Sequence, residues 1–293
     1  MNNIIKVLSF NIGGFYSQRE RKYDWEFRRS GNLKVIRKLL PDIVCLQEVQ
    51  HGNIVFYEEN LKDYTMYKGV QNFSRDDKNT MYNVILWNKN IFSKQVCGGF
   101  YLSETPSRWS KSWDSMFVRS ATWVKLKFNK TGTDFFFYNT HLDHFSEFAR
   151  VESSNLIIDK ALKTSKTHCA PIIITGDFNS RPWAPEKENA QMYPKTIIFN
   201  SLPPAGRVYD RYLQNGFIDT YIETGGENIL NMNTYHDFKG KHFPPAALRI
   251  DWILKLDVNK KLKTKKFSVI LEEDNEITPS DHYPVVADFI LEK

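Results

Sequence analysis

Apolar residues fall in short, continuous runs along much of the chain, and these runs predict β-strands. The candidate strands are residues 4–12, 42–49, 82–87, 122–128, 134–140, 171–176, 248–255 and 285–291. Most of the runs are continuous rather than alternating, which is typical of strands that are buried on both faces. The pattern therefore predicts a protein built around buried β-sheet.

Two segments show the helical period instead. Between Ser146 and Lys163, apolar residues recur at helical spacing, with acids early and lysines late, as the helix dipole favours. A second helix is predicted from about Asp24 to Leu40, because Pro41 cannot continue a helix and disfavours helical geometry in the residue before it. The periodicity by itself indicates an α/β or α+β fold with a large mixed sheet content.

Polar islands interrupt or end several of the apolar runs. They contain Asn11, Gln47-Glu48, the segment from Asn139 to Asp143, Asp177-Phe178-Asn179 and Asp281-His282, with Asp251 as a further single acid. Burying such side chains without partners costs several kcal/mol, so a cation or a charged substrate is the economical explanation. The pattern predicts a hydrolytic metal site assembled from strand ends.

Taken in order from Leu8 to Val286, these islands resemble the endonuclease/exonuclease/phosphatase family of metal-dependent phosphoesterases. Gly-Asp-Phe-Asn at 176–179 and Ser-Asp-His-Tyr-Pro at 280–284 are specific motifs, whereas a lone Gln-Glu pair is common. Residues 101–119 resemble a bacterial branch known only broadly as hydrolases. The resemblance implies a four-layer α/β/β/α sandwich, with two packed mixed sheets flanked by helices and the site at one edge of the sheets.

The expected metal site consists of Glu48, Asn11 and Asp281. Mg²⁺ prefers oxygen ligands and is usually held by one or two carboxylates plus substrate oxygens, and Mn²⁺ is possible as well. By resemblance Glu48 binds the metal, Asn11 supports it through the amide oxygen, and Asp281 helps directly or through water. The alternatives are a Glu48 paired with a surface lysine and an Asn11 that only makes a turn before Gly13-Gly14.

Asp177 and Asn179 are the first pair of expected catalytic residues. If the chain stays extended from 177 to 179, both side chains face the same side while Phe178 points to the core. By resemblance, Asp177 orients or deprotonates the attacking water, and Asn179 donates its amide to that nucleophile or to a phosphoryl oxygen. An Asp-x-Asn sequence also makes turns, and that alternative stays open from the sequence.

Two histidines and their neighbours complete the expected catalytic set. His282 is expected to contact the phosphate as a cation, with Asp251 as the carboxylate that orients it and favours its charged form. His141 and Asn139 are expected to approach the phosphate from the opposite strand end.

Three residues are expected to contact the substrate: Arg119, Trp113 and His144. Arg119 precedes a strand and either clamps the substrate or pairs with Asp114. Trp113 is available to line a cleft. Arg150, in the predicted helix, is expected to brace the loop that carries His141 rather than to contact phosphate.

The length and charge of the chain set broader expectations. At 293 residues two domains are possible, but the motifs spread from the first strand to the last, so a single domain over 1–293 is predicted. A net charge of +6 favours anionic partners. The lysine-rich run at 260–266 is expected to be a solvated hairpin tip, with contact to a nucleic-acid backbone or an acidic membrane as the alternative.

Cellular context is read from cysteines and from the N-terminus. Cys45, Cys97 and Cys169 are widely spaced, lack a Cys-x-x-Cys pair, and are expected to be buried, reduced thiols. The chain enters a strand at Ile4 without an apolar leader, so a cytoplasmic monomer is expected; a secreted or periplasmic location stays possible if a signal peptide was removed. No apolar run reaches the roughly 18 residues that span a bilayer.

The resulting hypothesis is a magnesium-dependent phosphoesterase in which water attacks the phosphorus directly. Candidate substrates are nucleic acids, lipid headgroups and small sugar or inositol phosphates. The alternative is a catalytically inactive phosphate- or nucleic-acid-binding protein that keeps the fold, because a fold alone does not guarantee activity.

Overall fold

Two six-stranded sheets lie face to face, and helices cover their outer faces. The computed structural model describes residues 3–15, 20–76, 78–184, 205–271 and 278–292. The strands are β1 Ile4–Asn11, β2 Ile43–Val49, β3 Tyr64–Tyr67, β4 Tyr82–Asn88, β5 Phe92–Tyr101, β6 Ser120–Phe128, β7 Thr133–His141, β8 Ile172–Asp177, β9 Ile218–Asp219, β10 Asp251–Leu256, β11 Leu262–Val269 and β12 Val285–Leu291. The helices are α1 Trp25–Leu39, α2 His51–Asn60, α3 Glu147–His168, α4 Arg207–Gln214 and α5 Thr220–Glu223.

The two sheets share one topology. Their strand orders are β11-β12-β1-β2-β4-β3 and β5-β6-β7-β8-β10-β9. Each sheet has one parallel pair at its centre, β1 with β2 and β7 with β8, and its other pairs are antiparallel. This arrangement is the mixed, two-sheet sandwich that the sequence resemblance implies.

Three apolar layers hold the sandwich together. The layer between the sheets contains Val7, Cys45 and Phe137. Trp25 of α1 packs with Phe10 on the outer face of the first sheet, and Ile157 of α3 packs in the outer layer of the second. The central strands are therefore covered on both faces, which explains their continuous apolar sequences.

Several details of the sequence interpretation need correction. The lysine run at 260–266 is not merely a hairpin tip, since Leu262–Val269 forms the edge strand β11. Of the three cysteines only Cys45 is buried; Cys97 is partly exposed and Cys169 is exposed. The segment 181–206, whose prolines predict a long loop, lies mostly outside the described residues. Among the described residues, no helix is long and apolar enough to cross a membrane.

Candidate active site

The predicted polar residues meet at one edge of the sandwich because of strand direction. The parallel strands β1 and β2 end there with Asn11 opposite Gln47, and β7 and β8 end there with His141 opposite Asp177. Strand β10 runs antiparallel to β8, so its first residue, Asp251, lies opposite Asp177. The strand β12 begins at the same edge with Val285, three residues after His282.

Asp251, His282 and Asp177 form a buried chain of charges. Asp251 Oδ2 lies 2.8 Å from His282 Nδ1, and His282 Nε2 lies 3.6 Å from Asp177 Oδ2. Burial opposes the cation, but Asp251 and Asp177 outweigh it and raise the pKa of His282 to about 10. The predicted pairing of Asp251 with His282 is confirmed, and the imidazolium is the stable form near neutral pH.

Asp177 is a buried carboxyl that binds its proton more tightly than an ordinary aspartate does. Burial is the main cause and raises the pKa of Asp177 to about 7, although His282 favours the charged form. Its Oδ2 atom accepts a hydrogen bond from Asn11 Nδ2 at 3.0 Å. A carboxyl with a pKa near neutrality is suited to general base catalysis.

Asn11 links this buried chain to Glu48. The Nδ2 atom of Asn11 donates to Glu48 Oε1 at 3.1 Å as well as to Asp177. Its Oδ1 accepts the backbone N–H of Gly13 at 3.0 Å, which fixes the orientation of the amide because an N–H group can only donate. The amide nitrogen therefore faces the carboxylates, contrary to the expected metal contact through the oxygen of Asn11.

Glu48 lies at the mouth of the site in a strained backbone conformation. Its φ is +59°, which is uncommon for a residue other than glycine, and its side chain is 26% exposed. Burial and the neighbouring Asp281 carboxylate raise the pKa of Glu48 above its ordinary value. The Asp281 carboxylate thus disfavours the charge of Glu48.

His141 lies between Asp177 of the second sheet and Glu48 of the first. Its Nε2 is 3.5 Å from Asp177 Oδ2, and its Nδ1 is 3.9 Å from Glu48 Oε1. Burial and the charge of Arg119 lower the pKa of His141 well below its ordinary value. His141 is therefore neutral and able to donate a proton from only one ring nitrogen at a time.

Asn179 does not continue the strand as predicted. Its φ is +46°, and its backbone N–H donates to Asp177 Oδ1 at 2.9 Å, so the Asp-x-Asn segment forms the turn that the sequence left as an alternative. The side-chain Nδ2 donates to the Leu142 carbonyl at 3.0 Å. Asn179 thus orients Asp177 and ties it to the segment after His141.

Asn139 lies beneath the site rather than in it. Its side chain is fully buried, and Nδ2 donates to the carbonyls of Leu46 and Val84 at 2.8 and 2.9 Å. Both amide hydrogens are consumed by these contacts. The prediction that Asn139 approaches the phosphate is therefore wrong. From its buried position on β7, the side chain of Asn139 contacts the other sheet instead.

Arg119 and His144 lie beside the acid cluster, the group of carboxyls formed by Glu48, Asp177, Asp251 and Asp281. Arg119 Nη2 is 3.1 Å from His144 Nδ1 and Nε is 3.9 Å from Asp143 Oδ2, so Asp143 takes the place predicted for Asp114. Burial and Arg119 lower the pKa of His144 to about 4, so His144 accepts from the guanidinium. Burial lowers the pKa of Arg119, whereas the charges of Asp143, Glu48 and Asp177 favour its protonated form, so the guanidinium lies next to the site.

The predicted helix residue Arg150 has the bracing role expected of it. It is buried, donates from Nη1 to the Asp143 carbonyl at 2.8 Å, and pairs with Glu147 at 2.9 Å. Trp113 lies further out, in a surface pocket of about 640 Å³ that Lys111, Met116 and Phe145 also line. The residues that line this pocket do not include Glu48, Asp177, Asp251 or Asp281.

Arg28 is a residue of the site region that the sequence analysis does not single out. It is buried and donates to the carbonyls of Ile12, Gly14 and Pro279 at 2.6, 2.9 and 2.8 Å. Arg28 thereby fastens the loop after β1 to the segment before Asp281. No local signal distinguishes this buried arginine from its exposed neighbours in the sequence.

Comparisons with known proteins agree with this fold. The sequence profile of the Endonuclease/Exonuclease/phosphatase family matches residues 8–282. A family protein from Bacteroides thetaiotaomicron has 25% identity and a TM-score of 0.79, with 100% of this chain and 99% of that chain covered. A mannosyl-6-phosphatase from the same organism has 26% identity and a TM-score of 0.78, with coverage of 98% and 100%.

A nuclease is also among the similar sequences. The 3'-5'-exoribonuclease subunit Ccr4 of Debaryomyces hansenii is 25% identical in an alignment 320 positions long, which covers 92% of this chain. The chain spans only 36% of that protein's length. From the match across residues 8–282 and the convergence of its motifs, the chain belongs to the Endonuclease/Exonuclease/phosphatase family of hydrolases that act on phosphoesters.

Proposed function

We propose that this chain is a magnesium-dependent phosphoesterase that hydrolyses small phosphoesters by direct attack of water. The observation that carries the proposal is the buried Asp251–His282–Asp177 chain beside Glu48. It places a carboxyl with a near-neutral pKa next to an imidazolium. Maintaining these charges in the interior is costly for a protein that only binds phosphate.

The residues present fit a divalent cation. The pKa of Glu48 is raised even though Asn11, His282 and Arg119 favour its charged form, so a hard cation between Glu48 and Asp281 would relieve the repulsion. The atoms of Asp177, Asp251 and His282 also lie within 4.8 Å of one another. That second group is less suitable, because a protonated His282 cannot donate a lone pair to a metal. Glu48 and Asp281 are the proposed ligands, for Mg²⁺ and also for Mn²⁺.

The proposed mechanism assigns one task to each group. When bound, Mg²⁺ would polarise the phosphoryl oxygens and offset developing negative charge. Asp177 accepts a proton from the attacking water, with its orientation fixed by Asn11 and by the backbone of Asn179. As the water oxygen bonds to phosphorus, the bond from phosphorus to the ester oxygen breaks, and the leaving oxygen takes a proton from solvent. His282 remains cationic through Asp251 and stabilises the negative charge of the phosphoryl group.

The proposed substrate is small for two reasons. The similar mannosyl-6-phosphatase matches this chain over its whole length, whereas the exoribonuclease subunit is matched over about a third. The lysine-rich part of β11 is also remote from the site: Lys263 pairs with Ile290, whereas Val269 pairs with Val285 at the site edge. Six residues of strand separate the two positions by about 20 Å.

Metal titration tests the proposed function. Chelator-stripped protein is assayed with p-nitrophenyl phosphate and its diester, before and after Mg²⁺ or Mn²⁺ is added. The wild type should be inactive when stripped and recover with metal, whereas Glu48→Gln should require much more metal because a ligand charge is lost. Glu223→Gln is the control, since Glu223 pairs with Lys255 at 2.6 Å instead. Full activity of stripped Glu48→Gln contradicts the assignment, and phosphate binding without turnover supports the inactive alternative.

A further inference from the structure

The strand that carries Glu48 is irregular at the point where it reaches the site. Strand β2 pairs regularly with β4 as far as Leu46 opposite Val84, but the next pair is Val49 opposite Tyr82. Two residues, Gln47 and Glu48, therefore stand opposite the single residue Asn83. Such a β-bulge disrupts the ladder locally and redirects a side chain.

Asn139 contacts both strands at the last regular pair before this bulge. Its Nδ2 donates to Leu46 O on β2 at 2.8 Å and to Val84 O on β4 at 2.9 Å. Asn139 belongs to β7 of the other sheet, two residues before His141. One amide thus joins the two sheets directly behind Glu48.

Gln47 holds the amide of Asn139 in the orientation that these contacts require. Its Nε2 donates to Asn139 Oδ1 at 2.7 Å, and both side chains are fully buried. With its oxygen occupied by this donor, Asn139 must present its nitrogen to the two carbonyls. The orientation is therefore set by the bulged strand itself.

We propose that Asn139 is a positioning residue that holds the bulge of β2 and thereby places the Glu48 carboxylate for metal binding. Glu48 occupies the left-handed region at φ +59°, and a strained conformation of this kind persists only when its surroundings determine it. The amide of Asn139 provides that constraint from the opposite sheet. The inference rests on the proposed function, because it treats Glu48 as a metal ligand.

The test is the Mg²⁺ affinity of substrate-free, chelator-stripped protein, measured by isothermal titration calorimetry. Asn139→Leu keeps the approximate volume but removes both donors. Loss of a group that orients a metal ligand typically costs about 10–100-fold in metal affinity or activity, and that weakening is expected here. Turnover at saturating Mg²⁺ should recover most of the wild-type value, because Asn139 does not touch the substrate.

Thr220→Val is the matched control. Thr220 is fully buried and donates through Oγ1 to the Ile253 carbonyl at 2.8 Å, so this variant also loses a buried donor to a strand carbonyl. It should unfold at a lower temperature but bind Mg²⁺ like the wild type. A merely structural role for Asn139 would make the two variants alike.

Gln47→Met supplies a second variant, which removes the donor that orients Asn139. It should weaken Mg²⁺ binding less than Asn139→Leu, and the two effects should be non-additive in the double variant. Unchanged affinity in folded Asn139→Leu overturns the proposal; if that variant does not fold, unchanged affinity in Gln47→Met does so. If the wild type binds no Mg²⁺, the proposed function is contradicted instead. If Glu48→Gln weakens Mg²⁺ binding but Asn139→Leu does not, only the role of Asn139 is contradicted.

Discussion

At the scale of single residues, the charge of His282 depends on Asp251 and should control the pH dependence of activity. The pKa of His282 is raised to about 10 by Asp251 and Asp177 against the cost of burial. The imidazolium is thus retained until the pH rises through about 10. Asp251→Asn removes the nearer charge, so activity should begin to fall at a lower pH than in the wild type, as a pH–rate profile would show.

The stability of the folded state should also decrease as the pH rises. A folded-state pKa above the ordinary value of 6.5 gives a contribution to stability that is complete below that value and lost as the pH rises through about 10. Asp257→Asn is the control for both measurements, because Asp257 follows the far end of β10 and accepts from Leu262 N. If Asp251→Asn leaves the alkaline limb unmoved, the pair does not govern activity.

Asp177 is predicted to be essential for turnover but costly for stability. Loss of a general base typically lowers the rate by about 10²–10⁴-fold, and Asp177→Asn should show a loss of that order. Because burial raises the pKa of Asp177 to about 7, the folded state prefers the neutral carboxyl, and the protein loses stability as the pH rises through 7. The neutral asparagine should therefore not lower the melting temperature at pH 8. A variant that is both active and less stable would refute this role.

At the scale of elements, the sequence predicts the interior strands and misses the edges. All eight predicted strands exist, and the four that were missed, β3, β5, β9 and β11, are the edge strands of the two sheets. Edge strands lack the double burial that produces a continuous apolar run. In β11 lysines occupy exposed positions, and β9 has only two residues. Periodicity therefore could not reveal them.

The loop after β1 offers a prediction with an internal control. Gly13 has φ +68°, and a Cβ atom there would lie 3.0 Å from Asp281 Oδ1. Gly132 has φ +74° but has nothing within 4 Å of such an atom. Alanine at either position should cost about 1–2 kcal/mol of stability for the left-handed backbone.

Only Gly13→Ala should also disturb the metal site, since it must displace the Asp281 carboxylate. Thermal unfolding and Mg²⁺ titration of both variants separate the two effects. We expect similar losses in melting temperature, but weaker Mg²⁺ binding only for Gly13→Ala. Equal Mg²⁺ affinities in the two variants would argue against Asp281 as a ligand.

At the scale of the whole molecule, strand direction explains why the site could be predicted in outline but not in detail. Asn11, Glu48, Asp177 and His282 were found because each interrupts or adjoins an apolar run, and parallel central strands bring such ends together. The turn at Asn179 and the burial of Asn139 and Arg28 depend on contacts between distant segments. Local sequence does not encode those contacts, so it misplaced Asn139, did not single out Arg28 and left the turn at Asn179 as an alternative.

The distribution of positive charge predicts a preference for small substrates over duplex DNA. Binding of a duplex usually requires several cations that contact phosphates at once. Here Arg28 is buried against backbone carbonyls, and Lys263 lies at the far end of β11, paired with Glu292 at 2.7 Å. Among the described residues, Arg119 and His282 are cations whose charges act on Glu48, and His282 also acts on Asp177, enough for one phosphoryl group.

A parallel assay at fixed salt and Mg²⁺ would test this preference with small phosphate esters, phospholipid, single-stranded RNA and duplex DNA. Small esters should give the highest kcat/KM, and duplex DNA the lowest. Lys265→Glu combined with Lys266→Glu is a matched surface control that should leave kcat/KM for small esters unchanged, because these lysines lie on β11 and not at the strand ends that form the site. Rapid cleavage of duplex DNA that this charge reversal abolishes would show instead that the lysine-rich edge strand belongs to the substrate-binding surface.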